Sequence, residues 1–466
     1  MNIQKFIEIE EKYNLYEKKI NDCPYWIFAR FELWNYNICK TQLDLGNRNS
    51  SIKFHFWKRL INTLKSLISI IKSPRNPDIL VLNHERRILS DGYYNCVYTD
   101  EITSEFDFTA NIEEPFEEGH FTPTKTKNLI YSDLINVLLS IYRKMSFFSM
   151  QKIKQKLIIQ LQKPLSELSE AYNWKFKNEL YTTIANMIIS YKLHKYLYKK
   201  LLKHISPKLI LEVVYYNPSR MIINSVAKEL NIKTIELQHG TMYNDHAAYH
   251  YSQNLKKLNE FPDDIFLFSD FWKKNITVPL SQNHLHSIGF PLFDKNRKSY
   301  PPKTNIDKKA VLFISQGTIG LQLSKLAIKL AEQDKSKNYK IIYKLHPSEY
   351  SDWQIKYSEL SKSDIEVIDK RNCIYEYFAQ SDYVVGVYST AIFEAIGFGL
   401  KALIYKVGHY DVMSDLINDG YATLIDSPEE LLHELNLINK TCPSEKLWQP
   451  NAFNNMKNKI NDLLKI

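Results

Sequence analysis

Residues 340–399 read KIIYKLHPSEYSDWQIKYSELSKSDIEVIDKRNCIYEYFAQSDYVVGVYSTAIFEAIGFG, and the fold turns on them. Two apolar runs, 341–345 and 383–387, have the length and the Ile, Val and Tyr content of buried strands. The first exits into His346-Pro347. The second exits into Tyr388-Ser389-Thr390, where a helical pattern begins at once with Ala391, Ile392, Ala395 and Ile396. Parallel sheets bind ligands at the carboxyl ends of their strands, and helix N-termini attract anions. The stretch therefore predicts a nucleotide or phosphate site.

The same strand and helix rhythm extends outward. Upstream, strands are expected at 79–82, 209–214, 232–237, 265–268 and 286–288; downstream, at 311–314 and 403–405. Between the two series, residues 295–309 are polar and carry Pro301-Pro302, the strongest boundary signal in the chain. The expected fold class is α/β, with two Rossmann-like domains facing a cleft and a helical N-terminal extension. The expected divisions are a helical extension (1–76), an N-terminal Rossmann-like acceptor domain with a helical insertion over 124–204 (77–296), a C-terminal donor domain (309–446) and a helical tail (447–466).

The extension has two parts. Residues 25–36, YWIFARFELWNY, carry aromatics that read as a core or docking helix, with Arg30 a candidate ligand contact. Residues 48–76 hold seven Lys or Arg and no acid, with Phe54, Trp57, Ile61, Leu64, Ile68 and Ile71 at helical spacing beside Lys58, Lys65 and Lys72. A basic amphipathic helix of this kind suits an anionic membrane surface.

Composition bounds the function. Hydrophobic residues at 44% of 466 support sizeable cores, and a net charge of +9 admits acidic partners such as nucleotide phosphates. The basic residues form no nucleic-acid-binding module, so nucleic acid is not an expected partner. Cys23, Cys39, Cys96, Cys373 and Cys442 are scattered without a CxxC pair, which predicts reduced thiols and no zinc site. The start is polar and no apolar run spans a bilayer, so the expected location is the cytoplasm, with the inner face of the cytoplasmic membrane as a contact.

Four strand exits supply candidate site residues. Gln238-His239-Gly240 follows a strand, with Gly240 allowing a sharp turn and His239 placed as a base or phosphate donor. Ser315, Gln316, Gly317 and Thr318 begin the loop SQGTIG, which lacks both the Walker A lysine and the GxGxxG spacing yet suits phosphate at a helix start. In His346-Pro347, proline stiffens the strand exit. Ser389 and Thr390 offer hydroxyls and backbone N–H groups, and Glu394, one turn on, could reach a ribose.

The motifs QHGT, GFPLFD, KLHPSE and SDYVVGVYSTAIFEA together resemble bacterial GT-B glycosyltransferases that build capsule and lipopolysaccharide. The nearest likeness is to CMP-sugar-dependent sialyl-, polysialyl- and Kdo-transferases. CDP-glycerol-dependent teichoic acid polymerases are similar too. The resemblance covers about residues 207–410. It implies that His346, Ser389 and Thr390 hold the donor's phosphate and that His239 serves catalysis. The sialyltransferases carry an acidic base in a D/E-D/E-G motif. Ser90-Asp91-Gly92 is the partial match noted for it, which makes Asp91 and Glu212 the acidic candidates. The implied reaction is transfer of a nonulosonic or Kdo-like sugar from a CMP-activated donor to a glycan or glycolipid hydroxyl, without cofactor or metal. The rival expectations are CDP-polyol phosphotransfer, UDP- or GDP-sugar transfer, and a scaffold of a polysaccharide assembly complex.

Overall fold

The computed structural model describes residues 3–42, 56–90, 92–116, 119–301, 308–370, 373–437 and 446–465. Two parallel sheets dominate it. The first joins β1 (Ile79–Leu82), β4 (Thr109–Glu113), β5 (Leu129–Tyr131), β6 (Leu209–Glu212), β7 (Lys233–Leu237), β8 (Asp264–Leu267) and β9 (Leu285–Ser287) in the order β5-β4-β1-β6-β7-β8-β9. An antiparallel hairpin, β2 (Arg87–Ser90) and β3 (Tyr93–Cys96), stands apart from it. The second sheet joins β10 (Lys309–Ile314), β11 (Tyr339–Lys344), β12 (Glu366–Ile368), β13 (Tyr383–Gly386), β14 (Lys401–Tyr405) and β15 (Ala422–Ile425) in the order β12-β11-β10-β13-β14-β15. With helices on both faces, central strands are buried throughout and read as apolar runs, ILVL in β1 and YVVG in β13. These are two Rossmann-like domains meeting across a cleft, the GT-B arrangement.

The helices that matter below are α1 (Gln4–Lys12), α2 (Tyr25–Gln42), α3 (Phe56–Ile71), α4 (Asp133–Met145), α5 (Phe147–Tyr172), α6 (Asn178–Ile205), α7 (Pro218–Glu229), α8 (Gly320–Gln333), α9 (Thr390–Gly397) and α10 (Ala452–Leu464). Local chemistry sets their starts. Asn217 caps α7 by accepting the Ser219 N–H at 2.8 Å, and Pro218 follows at the first helical position. The aromatic run of α2 packs inward: Trp34 lies 5.2 Å from Phe6 and 5.4 Å from Trp174, ring to ring.

The structure departs from the sequence reading in places. The hairpin, β4, β5, β12 and β15 have three to five residues each and no strong alternation, so tertiary burial rather than pattern makes them strands. The region 124–204, expected to be mostly helical, is so, with β5 as its one strand among the described residues. Arg30 is no ligand contact: its side chain is buried in a bidentate pair with Glu10. Phe54 lies outside the described residues.

The tail binds the two halves together. Trp448 stacks on Phe293 at 4.1 Å and Phe268 at 5.1 Å, and its Nε1 donates to the Phe393 carbonyl. Helix α10 then returns to the first sheet, where Asn455 donates to the Ile288 carbonyl at 3.1 Å. Gly289 makes this crossing fit: φ is +97°, and a Cβ there would strike the Gln449 carbonyl and stand 2.6 Å from Ala452 Cβ.

Candidate active site

Each sheet has one point where strand order reverses, and there the loops diverge to leave a crevice. In the first sheet this lies between β1 and β6, in the second between β10 and β13. The register puts the exits level: Leu82 pairs with Glu212 and Glu212 with Glu236, while Ile314 pairs with Lys344. His84, Tyr216 and His239 thus leave three neighbouring strands side by side. Opposite them stand Gln316, His346 and Ser389. The two edges touch, since the Tyr243 hydroxyl donates to the Tyr388 carbonyl at 3.0 Å and Asn244 to the Ser414 hydroxyl at 3.0 Å.

On the first edge, His239 Nε2 meets the Tyr216 hydroxyl at 3.1 Å, while its buried Nδ1 has no hydrogen-bond partner among the described residues. Its carbonyl accepts from Tyr98, and the His84 ring lies 6.2 Å away. Burial, then the neighbouring His84, His246, Arg220 and Arg86, holds the His239 imidazole well below its ordinary pKa. Burial and Arg220, Arg86 and Arg87 lower His84 to about 4. Both rings are therefore neutral near pH 7, and His239 keeps a lone pair for a proton. An arriving phosphate would offset the cationic neighbours and raise its basicity.

Beneath this edge, Val214 adopts φ +64°, a left-handed conformation that costs a β-branched residue on the order of 1–2 kcal/mol. Arg220 braces the turn through the Asn83 carbonyl at 2.7 Å and the Val214 carbonyl at 3.4 Å. The strain is held where Tyr216 is aimed at His239.

On the second edge, His346 heads a short 3-10 turn. Its Nδ1 accepts the Ser348 N–H at 3.2 Å and pairs with the Ser348 hydroxyl at 2.7 Å, while Glu349 accepts the His346 backbone N–H at 2.7 Å. With Nδ1 accepting, the neutral ring carries its proton on Nε2, a fixed donor on the exposed side. Ser389 caps α9 by accepting the Ala391 N–H at 3.3 Å, and Thr390 and Pro347 are exposed. Gln316 accepts the Tyr388 N–H at 3.4 Å and Thr318 bonds to the Tyr388 hydroxyl, tying the β10 and β13 exits together. Gly317 lets the β10 exit approach the His346 turn, since a Cβ there would be 3.2 Å from Ser348 Oγ.

Several candidates stand elsewhere than expected. Gln238 is buried and structural, donating to the Gly240 carbonyl at 2.9 Å and accepting the Phe268 N–H at 2.7 Å. Gly240 does not use its freedom to turn, because its φ is not in the left-handed region. Ser315 is buried, bonding to Glu349 and Tyr343. Glu212 is fully buried and holds Asn224 at 2.7 Å on the α7 side. Burial raises its pKa, and burial with the Glu212 charge raises that of Glu236, which binds Tyr215 N–H and the Tyr249 hydroxyl. Both carboxyls are fully buried. Glu394 faces Tyr375 and Arg86 from the other domain, its pKa raised chiefly by burial. Asp91 lies outside the described residues.

The sequence reading passed over three features. His84 and Tyr216 were visible only as loop residues until the sheet order brought them beside His239. The third is Glu117-Glu118-Gly119, which satisfies the D/E-D/E-G pattern in full and follows β4, the neighbour of β1. Glu117 and Glu118 lie outside the described residues. Gly119 is paired backbone to backbone with Phe116.

A cavity of about 830 Å³ bordered by Asn231, Lys233, Asp263 and His284 opens at the opposite, amino-terminal edge of the first sheet, away from this cluster.

No family model and no curated protein matches the chain. Similar solved structures include a UDP-GlcNAc 2-epimerase from Methanocaldococcus jannaschii, at 11% identity over 83% of this chain and 99% of that one, with a TM-score of 0.47. Another is the wall teichoic acid polymerase TagF, at 13% identity over 88% and 99%, with a TM-score of 0.42. A putative UDP-N-acetylglucosamine 2-epimerase from Listeria monocytogenes is similar at 15% identity over 64% and 85%, with a TM-score of 0.42. At such values the likeness is one of outline, and the fold rests on the strand pairing above.

Proposed function

We propose that the chain is a nucleotide-sugar-dependent glycosyltransferase that moves a sugar, from a CMP-activated donor, onto a hydroxyl of a growing capsule or lipopolysaccharide glycan. The observation that carries this reading is the opposition of two polar edges at the switch points of two parallel sheets. One edge offers fixed donors, the His346 Nε2–H and the Ser389-Thr390 helix start. The other offers a neutral, half-buried histidine, His239, whose Nδ1 has no hydrogen-bond partner among the described residues.

In this reading the donor's phosphate rests on His346, Ser389, Thr390 and the N–H groups of α9. The acceptor oxygen attacks the anomeric carbon, and the bond from that carbon to the phosphate oxygen breaks with its electron pair on the phosphate. The hydrogen bonds there strengthen as that charge develops. The acceptor's proton passes to His239 or to a carboxylate of Glu117-Glu118. Closure of the domains excludes water and so limits hydrolysis of the donor.

A second reading, CDP-polyol phosphotransfer, is favoured by the two opposed histidines and by the burial of Glu212 and Glu236 away from the cleft. One panel separates the readings. Thermal melting with CMP, CDP, UDP and GDP identifies the base and phosphate length, because a ligand held by the native state raises apparent stability. Turnover of the matching activated sugar or polyol then identifies the transferred group. Stabilisation by CMP with transfer from a CMP-sugar is the expected outcome; stabilisation by CDP with release of CMP from a CDP-polyol supports the second reading. Transfer that survives both His239→Ala and His346→Ala would refute this active site. No turnover with any donor would leave the scaffold role.

A further inference from the structure

Helix α3 is turned inside out. Its hydroxyl and amide face packs on the protein: Ser66 accepts the Leu134 N–H at 3.1 Å and donates to the Tyr131 carbonyl, and Ser69 accepts the Tyr131 N–H at 3.0 Å. Its apolar face points to solvent, with Trp57 73%, Ile61 50%, Ile68 52% and Ile71 66% exposed. Helix α4 packs alongside, and the corner from α4 into α5 adds Met145 and Phe148, 78% and 87% exposed. A soluble surface rarely leaves so extended an apolar patch uncovered.

Charge says what covers it. Residues 56–75 carry five Lys or Arg and no acid, and residues 134–163 carry six and no acid. These eleven cations exceed the net charge of +9, so the rest of the chain is slightly acidic. A second copy of the chain docking face to face would bring like charges together. An anionic bilayer meets both the apolar side chains and the cations.

We propose that the α3 and α4–α5 face lies on an anionic membrane. Helix α3 rests in the plane of the interface, with Trp57 and Phe148 among the headgroups. Between α3 and α4 a cavity of about 410 Å³, lined by Arg59, Asn62, Thr63, Asn136, Ser140 and Lys144, takes a lipid phosphate. Asp133 also borders it, but is paired with His120 at 2.9 Å. Helix α3 begins beside the β4 exit, where a Cβ on Gly119 would lie 3.5 Å from Lys58 Nζ. The membrane face therefore adjoins the loops of the first sheet's cleft edge, the side from which a lipid-linked acceptor would enter. Binding to lipid does not depend on the transfer reaction and is measured without donor or acceptor.

The test is co-sedimentation of the full chain with vesicles of phosphatidylcholine alone, or of phosphatidylcholine with an equal part of phosphatidylglycerol. The expected result is binding to the anionic vesicles that weakens as salt rises. Ile68→Glu with Phe148→Glu is expected to lower it at least about tenfold. Arg59→Gln with Lys144→Gln is expected to lower it about 25-fold, since each cation near the surface contributes about fivefold. Thermal melting checks that each variant is folded, which the exposed positions favour. Equal binding to both vesicle types, no binding to anionic vesicles, or full binding by folded variants would overturn the proposal. A lipid-free oligomer dissolved by Ile68→Glu would overturn it in favour of a subunit interface.

Discussion

Arg30→Met tests how the segment that follows His239 is held. Arg30 in α2 and Glu10 in α1 are both sealed, with 1% and 0% of their side chains exposed. The guanidinium grips Glu10 through Nε at 2.8 Å and Nη2 at 3.0 Å. It also donates to the Ala247 carbonyl and, at 2.9 Å, to the His250 carbonyl, and its Cζ lies 4.1 Å from the Tyr251 ring centre. Methionine fills similar volume but leaves Glu10 charged and buried, with Trp26 and Tyr16 its remaining donors among the described residues. An uncompensated buried charge costs about 3–5 kcal/mol, and two orphaned carbonyls add about 1 kcal/mol each. The sum, about 5–7 kcal/mol, rivals the whole stability of an ordinary domain. Adding Glu10→Gln removes the charge and is expected to restore about half.

Urea unfolding followed by tryptophan fluorescence is the assay, with Trp26 reporting from inside the network. A cost below about 1 kcal/mol, or no recovery in the double variant, would refute the account. Kinetics supply a second readout. His246, upstream of the anchored carbonyls, packs 5.3 Å from Phe31 and 5.5 Å from Tyr216. Arg30→Met assayed below its melting temperature is therefore expected to lower kcat, although residue 30 touches no substrate.

If His346 holds the nucleotide phosphate as proposed, His346→Ala at this exposed position should lower CMP affinity measured by calorimetry about 10- to 150-fold with Tm nearly unchanged. Gly320→Ala drives a Cβ into the Tyr357 hydroxyl and Glu349 Oε1, and should cost about 1–3 kcal/mol in denaturant unfolding together with nucleotide binding, because Glu349 holds the His346 turn. His120, clasped by Glu113 at 3.0 Å and Asp133 at 2.9 Å, is raised to about 9 by those carboxylates against the opposing effect of burial. A histidine raised above its unfolded value of about 6.5 stabilises fully below that pH and loses the contribution as pH climbs through 9. His120→Gln should therefore cost about 1–2 kcal/mol at about pH 6, allowing for solvent screening, and little by about pH 10, as followed by thermal melting across that range. Glu117→Gln and Glu118→Gln distinguish the proton acceptors: a kcat loss of about 100-fold or more in either assigns the base to that carboxylate, and an unchanged kcat in both leaves His239.

Much was legible in the residues because it is local. Continuous apolar runs such as ILVL and YVVG predict buried parallel strands wherever they sit, and Ser389-Thr390 announces a helix start through its own hydrogen bonds. The two-domain α/β class, His346 with its stiffening proline, and His239 at a strand exit all follow from such signals. The register and order of strands do not, because they depend on pairings between segments distant in the chain, Ile79 with Leu209 and Val311 with Tyr383 among them. Only the tertiary structure set His84 and Tyr216 beside His239, withdrew Gln238, Ser315 and Glu212 into satisfied or sealed interior positions, and enclosed Arg30 with Glu10. The amphipathic pattern of α3 was equally plain in sequence, yet periodicity says that a helix has two faces and not which one it buries. That was decided by Ser66 and Ser69 bonding to the edge strand β5, which left Trp57, Ile61 and Ile68 outside.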